Sequence, residues 1–465
     1  MKSLRAAAAV ALAAAILAGS NTAHAADNDI DGDGVPDLVL GAVAWRGFLI
    51  IDRSASPDLV LSPRMPEIRG RDWTGFGRAL TIADFDGDGY SDVAVGGHRG
   101  YVPFLGVSLL TNVVTVIYGS PGPITRSKLL SPSTSTAFGT VLTSGDFNGD
   151  GFGDLAAWDA GDHYLDYRGN GLIRIYYGGV DGLSAVRRQE LTQATPGIPG
   201  ESEKSDAFGS SMAAGSVDGD AYDDLVIGVP YEDVGEVSNA GSVVVVRGSV
   251  FGLVPSWSSR WSKGSSQLGG RPTDNDLVGS SLCIGDFDGD SFGDIGIGVR
   301  KEDVGVMSDA GAVRVLRGSA HGPTNVGRQL WMQNSRNVEG RSEPYDEFGD
   351  ACAAGDFNDD GFDDLIASAP RDFRDSGRGV VHVLFGSPAG LSAFGDRFID
   401  PPAANAHLGW DLAAFDVDGD GIDDALVTGG PADMTFVLIS SGGTPPFATT
   451  TMRAGDPGYR FTLQS

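Results

Sequence analysis

Apolar positions along this chain come in short Val, Ile and Leu runs, broken by glycine-rich and acidic turns, with no long helical stripe. Runs such as VVTVIYGS (113–120), SVVVVRGS (242–249), AVRVLRGS (312–319) and VVHVLFGS (380–387) have the length and residue types of strands. Each is preceded by another short apolar run that follows an acidic loop and ends in several cases in a small-small-Pro turn, such as Gly228-Val229-Pro230 or Ser368-Ala369-Pro370. Eight residues before the loops stand apolar-Gly pairs: Phe76-Gly77, Phe138-Gly139, Phe208-Gly209, Val278-Gly279, Phe348-Gly349 and Leu408-Gly409. With a variable fourth segment, the unit reads as four short strands.

The acidic loops follow D-x-[DN]-x-D-x-x-x-D and start at Asp29, Asp84, Asp146, Ser216, Asp286, Asp356 and Asp416, at intervals of 55, 62, 70, 70, 70 and 60 residues. Such a long, regular period signals a repeat architecture. The seven loops span 29–37, 84–92, 146–154, 216–224, 286–294, 356–364 and 416–424. Loops 1, 2 and 7 are complete, with Asp29, Asp31, Asp33, Asp37; Asp84, Asp86, Asp88, Asp92; and Asp416, Asp418, Asp420, Asp424. Loops 3 and 6 carry asparagine at position 3: Asp146, Asn148, Asp150, Asp154 and Asp356, Asn358, Asp360, Asp364. Loop 5 has Asp286, Asp288, Asp290, Asp294 with Ser291 at position 6, and loop 4 has Ser216, Asp218, Asp220, Asp224 with Ala221 there.

Hard Ca²⁺ takes six to eight oxygens at about 2.3–2.6 Å, and carboxylates at alternate positions of a tight turn converge on one point. A glycine at position 6, such as Gly89, permits that turn. The Tyr90 carbonyl and Asp92 would complete the shell of loop 2. The pattern is not an EF-hand, because Val95 stands where the bidentate glutamate belongs and a strand follows Asp92. Up to seven Ca²⁺ are expected, with the site at 216–224 the weakest. The bland alternative, metal-free acidic turns, leaves close carboxylates to repel one another at every loop.

Seven four-stranded repeats predict an all-β fold, a seven-bladed β-propeller of antiparallel blades, rather than an open stack of hairpins. Loop 1 begins too early for a first strand ahead of it. PGYRFTLQS (457–465) matches FGRALTIAD (76–84), so the C-terminal strand is expected to complete blade 1 and close the ring.

Residues 1–25 read as a secretory signal peptide, with Lys2 and Arg5, an apolar run over 6–18 and a cleavage motif at Ala23-His24-Ala25. Residues 26–465 are expected to form one domain, secreted, periplasmic or at the cell surface. The formal net charge is −29, and −31 without the leader. That balance excludes nucleic acid and anionic membranes as partners. Cys283 and Cys352 are no disulfide scaffold; a bridge is open to them if they lie on adjacent inner strands, and two buried free thiols are the expectation.

The ordered Phe-Gly pair, acidic loop and Gly-x-Pro turn resemble the FG-GAP repeat family, the integrin α-subunit-like propeller also found in exported bacterial proteins. The resemblance spans residues 27–465. It implies calcium in the first hairpin of each blade, on the lower face, and upper-face loops that serve binding. Heterodimeric signalling does not carry over. Upper-face candidates are Arg69, Arg71, Trp73, Tyr101 and Phe104, with His163, Tyr164, Tyr167 and Arg168 in DAGDHYLDYRGN (159–170). Trp257, Trp261 and Trp331 read as packing residues, and YEDVGEVSNAG and KEDVGVMSDAG as structural turns.

No catalytic constellation appears: His98, His163, His321, His382 and His407 show no zinc spacing, and there is no G-x-S-x-G elbow or phosphate loop. The expectation is a non-enzymatic, monomeric binding or adhesion module for an extracellular protein or glycan. The alternative is a secreted calcium-dependent polysaccharide lyase or phosphoester hydrolase.

Overall fold

In the computed structural model the described residues are 13–15, 28–34, 36–43, 48–52, 59–61, 73–74, 76–104, 107–121, 124–131, 137–160, 170–264, 267–372, 379–399, 408–416, 420–428, 435–440 and 448–453. Among them the chain is all-β and forms seven consecutive antiparallel sheets, six of four strands and one of five. Sheet 4 shows the plan: Ser211–Gly215, Asp224–Val229, Ser242–Arg247 and Val254–Ser262 pair in sequence order. The first hairpin holds the acidic loop, and its register pairs Gly215 with Asp224. Sheets 3, 5, 6 and 7 repeat this with Leu142–Gly145, Val278–Gly285, Cys352–Gly355 and Leu412–Phe415 as first strands.

Sheet 2 departs by extension. Its second strand runs Asp92–Phe104 and pairs with Val107–Ile117, while Trp73–Thr74 adds a fifth strand beside His98 and Arg99. Tyr101 and Phe104, expected on an upper-face loop, thus lie on the second strand of this hairpin.

First strands of successive sheets adjoin from sheet 2 to sheet 7. Short side chains make that approach close: Thr81 Oγ1 and Ser144 Oγ lie 2.8 Å apart, and Ser211 and Ser281 donate to the carbonyls of Gly279 and Gly349. The Phe-Gly pairs explain themselves here. Phe76, Phe138, Phe208, Val278, Phe348 and Leu408 are fully buried between sheets. The glycine that follows turns at positive φ, 88° at Gly209, and its N–H donates to the carbonyl of Gly228 in the second strand. A Cβ on Gly228 would strike the carbonyl of Gly279 in the next sheet, so two glycines let the backbones meet.

Burial is nearly continuous along the second and third strands, as in Asp224–Val229, because both faces are covered by neighbouring sheets. Val217, Val226, Val243, Val245, Leu282, Ile295 and Ile297 form one such inter-sheet core.

One expectation is revised, and another falls outside the described residues. The first-strand place in sheet 1, expected for residues 457–465, is held by Ala13–Ala15 of the expected leader, paired with Gly41–Val43. An open edge accepts any short apolar segment that satisfies its N–H and C=O groups. Residues 457–465 lie outside the described residues. Cys283 and Cys352 are not two free thiols: they form a disulfide between the first strands of sheets 5 and 6, with Cα atoms 5.9 Å apart. The close spacing of adjacent first strands puts them within reach.

Candidate metal centres

Each acidic loop is built position by position by backbone hydrogen bonds. The position-1 aspartate accepts from the N–H of position 6, at 2.8 Å from Gly34, Ser291 and Gly421 and 2.9 Å from Gly89, Gly151 and Gly361. Position 5 accepts from position 7, as in Tyr90 N–H to Asp88 at 3.1 Å. Loop 4 differs where the sequence does: Ser216 Oγ donates to the Asp220 carbonyl at 3.2 Å.

Position 9 is the buried hub. Asp92 accepts from Phe85 N–H at 2.9 Å and from Gly119 N–H at 2.8 Å, tying the loop to the end of the third strand. Asp154, Asp224 and Asp364 make the same pair of bonds. Burial, with smaller contributions from loop carboxylates, outweighs these donors. It pushes Asp92, Asp154 and Asp364 up to about 8 and Asp37, Asp224 and Asp294 to about 7.

The oxygens converge. Asp29, Asp31 and Asp33 offer ligand atoms within 4.8 Å of one another, as do Asp84, Asp86 and Asp92, and Asp286, Asp288 and Asp290. Within the loops Asp37 Oδ1, Asp86 Oδ1, Asp288 Oδ1 and Asn358 Oδ1 are buried without a hydrogen-bond partner. Buried oxygens left over after the backbone bonds are made are what a hard divalent cation would use, so the residues present fit such an ion.

The loops also join the sheets. At six successive junctions the N–H of position 8 donates to the position-1 carbonyl of the preceding loop: Ser91 to Asp29, Gly153 to Asp84, Asp223 to Asp146, Gly293 to Ser216, Asp363 to Asp286 and Asp423 to Asp356, at 2.8–3.1 Å. The position-4 glycines face the next loop's position-7 ring. A Cβ on Gly32, Gly87, Gly149, Gly219 or Gly289 would collide with Tyr90, Phe152, Tyr222, Phe292 or Phe362. The sequence signal for this was the glycine and the aromatic recurring together.

Of the upper-face candidates, Arg69, Arg71, His163, Tyr164, Tyr167 and Arg168 lie outside the described residues, as does Asp418 of loop 7. Trp73, Tyr101 and Phe104 lie on strands of sheet 2, with Trp73 opposite Arg99 and Phe104 opposite Val107. His382 is fully buried, edge-on to Phe348 at 5.4 Å and 3.4 Å from Asp396. Trp261 and Trp331 pack against the cores as expected. Trp257 does not: it is half exposed, with the Arg247 guanidinium 5.6 Å from its ring. The two repeated turns are closed by reciprocal Val234–Val237 and Val304–Met307 bonds.

This architecture and loop chemistry define a repeat protein, and comparison places it. The FG-GAP repeat matches residues 76–106, 208–246 and 348–384. The chain is 28% identical over 248 residues to integrin alpha-PS2 of Drosophila melanogaster, covering 50% of this chain and 16% of that protein. It is 29% identical over 234 residues to integrin alpha-V of Gallus gallus, covering 47% and 20% respectively. It is 33% identical over 157 residues to phosphatidylinositol-glycan-specific phospholipase D of Homo sapiens, covering 33% and 18%. FG-GAP repeats thus recur at three places in the chain, and the proteins it is similar to include integrin α subunits. The matches span at most a fifth of the length of these relatives.

Proposed function

We propose that this protein is an exported, calcium-stabilised seven-bladed propeller that serves as a non-enzymatic binding module for an extracellular protein or glycan. The observation that carries the metal reading is the set of buried, partnerless oxygens at Asp37, Asp86, Asp288 and Asn358, each inside an acidic loop. Calcium bound there only in the folded state would stabilise by linkage. FG-GAP repeats and integrin α relatives support a binding role, and no helix among the described residues is long and apolar enough to cross a membrane.

In this reading the cations rivet one face of the ring, and the opposite face serves binding, for which the sequence offers Arg69, Arg71, His163, Tyr164, Tyr167 and Arg168 as candidates. Thermal unfolding in chelator and in calcium tests the metal: a higher midpoint in calcium is expected, and an unchanged midpoint refutes it. A screen of extracellular proteins and glycans in calcium tests the binding role by saturable capture without turnover.

The phospholipase D relative favours one second reading, a phosphoester hydrolase. Calcium-dependent product formation lost in His163→Ala would support it.

A further inference from the structure

We propose that an arginine built into loops 2, 4 and 5 is a resident counter-cation that sets how tightly each loop takes a divalent ion; this rests on the metal reading above. Arg317 Nη1 bridges two carboxylates of loop 5, reaching Asp294 Oδ2 at 2.8 Å and pairing still more closely with Asp288. Its side chain is 8% exposed. In loop 4, Arg247 Nη1 pairs with Asp218 at 2.8 Å. In loop 2 the paired residues are Arg126 and Asp86.

The pattern covaries inside the one chain. The residue that ends or follows the third strand, just before the glycine that donates to position 9, is Arg247 in sheet 4 and Arg317 in sheet 5. In sheets 3 and 6 it is Tyr177 or Phe385, and there position 3 is Asn148 or Asn358 rather than aspartate. In sheet 2 it is Tyr118, and the arginine arrives from elsewhere: Arg126 stacks over the Tyr118 ring, 3.8 Å from its centroid, to reach Asp86. Across loops 2 to 6, aspartate at position 3 comes with an arginine and asparagine comes with an aromatic ring in its place; loop 7 departs, with Asp418 and Ser440. Counting positions 1, 3, 5 and 9 as ionised, as a bound cation would require, together with that arginine, loops 2, 3, 5 and 6 each carry a formal charge of −3, and loop 4, with Ser216, −2.

The arginine has two consequences of opposite sign. Without metal it neutralises carboxylates that burial would otherwise penalise, so it supports the empty loop. With metal it adds a like charge beside the cation and shares one of the ligands it needs, or two in loop 5.

The test compares the full-length protein with Arg317→Gln, Arg126→Gln and the double variant Asp288→Asn/Arg317→Phe, which copies loop 6. Equilibrium dialysis at subsaturating free calcium measures uptake, and thermal unfolding is followed in chelator and in calcium. Arg317→Gln is expected to melt lower in chelator, to bind calcium at that loop about tenfold more tightly and to gain more in midpoint from calcium. The double variant should take up calcium as wild type does. Arg126, with a side chain 46% exposed, provides the variant whose folding is least at risk. Wild-type protein that takes up no calcium overturns the metal reading and this one with it. Calcium uptake by wild type with no gain in Arg317→Gln and Arg126→Gln overturns the arginine's role alone.

Discussion

Asp146 and Asp223 hold each other reciprocally across a sheet boundary: the Asp223 N–H donates to the Asp146 carbonyl at 3.0 Å, and the Asp146 N–H donates to the Asp223 carboxylate at 2.7 Å. Asp286 with Asp363 and Asp356 with Asp423 repeat the pair. Position 8 of the loops is therefore a joint between sheets. Asp223→Ala keeps the backbone bond that Gly153 and Gly293 make without a side chain, but leaves one N–H unsatisfied. It is expected to cost about 1–3 kcal/mol, measured by denaturant unfolding in calcium.

Position 8 of loop 1 is Pro36, which has no N–H to give. In the proposed ring the junction of loop 7 with loop 1 lacks the bond that the other six share, and it is the seam. Native-state hydrogen exchange should show slow exchange at Gly153, Asp223, Gly293 and Asp363, and the fastest opening in sheets 1 and 7. Uniform protection around all seven sheets would contradict the seam.

Lys263 is buried, 2% exposed, with its ammonium 2.9 Å from both Asp276 and Glu302. Seventy residues to either side the same place is taken by Gln193 and Gln333, which donate to Glu232 and Asp372. Lys263→Met should cost about 3–5 kcal/mol, because the fully buried Asp276 loses its cation, while Glu302 keeps Arg314 at 3.2 Å. Lys263→Gln, copying its neighbours, should cost less. The difference between the two in chemical denaturation checks the account.

The junction at Gln193 makes stability pH-dependent. Burial raises Glu232 from an ordinary 4.5 to about 7, against the Gln193 hydrogen bond, and raises Asp206 from 3.8 to about 6. A carboxyl whose folded pKa is raised binds its proton more tightly when folded. Its contribution is complete below the unfolded pKa and is lost as pH rises through the folded value. Stability from these groups should fall between about pH 4 and pH 7, and Glu232→Gln should flatten that slope in melts run at constant calcium. An unaltered slope would show that Glu232 is not the group responsible.

The Cys283–Cys352 bridge spans 69 residues of sequence. Peptide mapping without reductant should recover the linked pair, and Cys283→Ser/Cys352→Ser should lower stability by up to about 4 kcal/mol through a less constrained unfolded chain. Recovery of both peptides as free thiols from the exported protein would refute the bridge.

Within a single repeat, the order of residues is enough. Each acidic loop places its carboxylates within nine residues, and each strand shows its own apolar run, so the repeat, the all-β class and the Asp84–Asp92 turn are legible in the amino-acid sequence alone. Relations between repeats come from packing instead. Gly87 is needed because of Phe152, Asp223 because of Asp146, and Asp288 faces Arg317. Cys283 meets Cys352, and Ala13–Ala15 takes an edge that the repeat pattern assigns to residues 457–465. Each of these pairs is brought together only when neighbouring sheets pack against one another or strands pair within one sheet. That packing depends on non-local backbone geometry, which no spacing along a single chain can express.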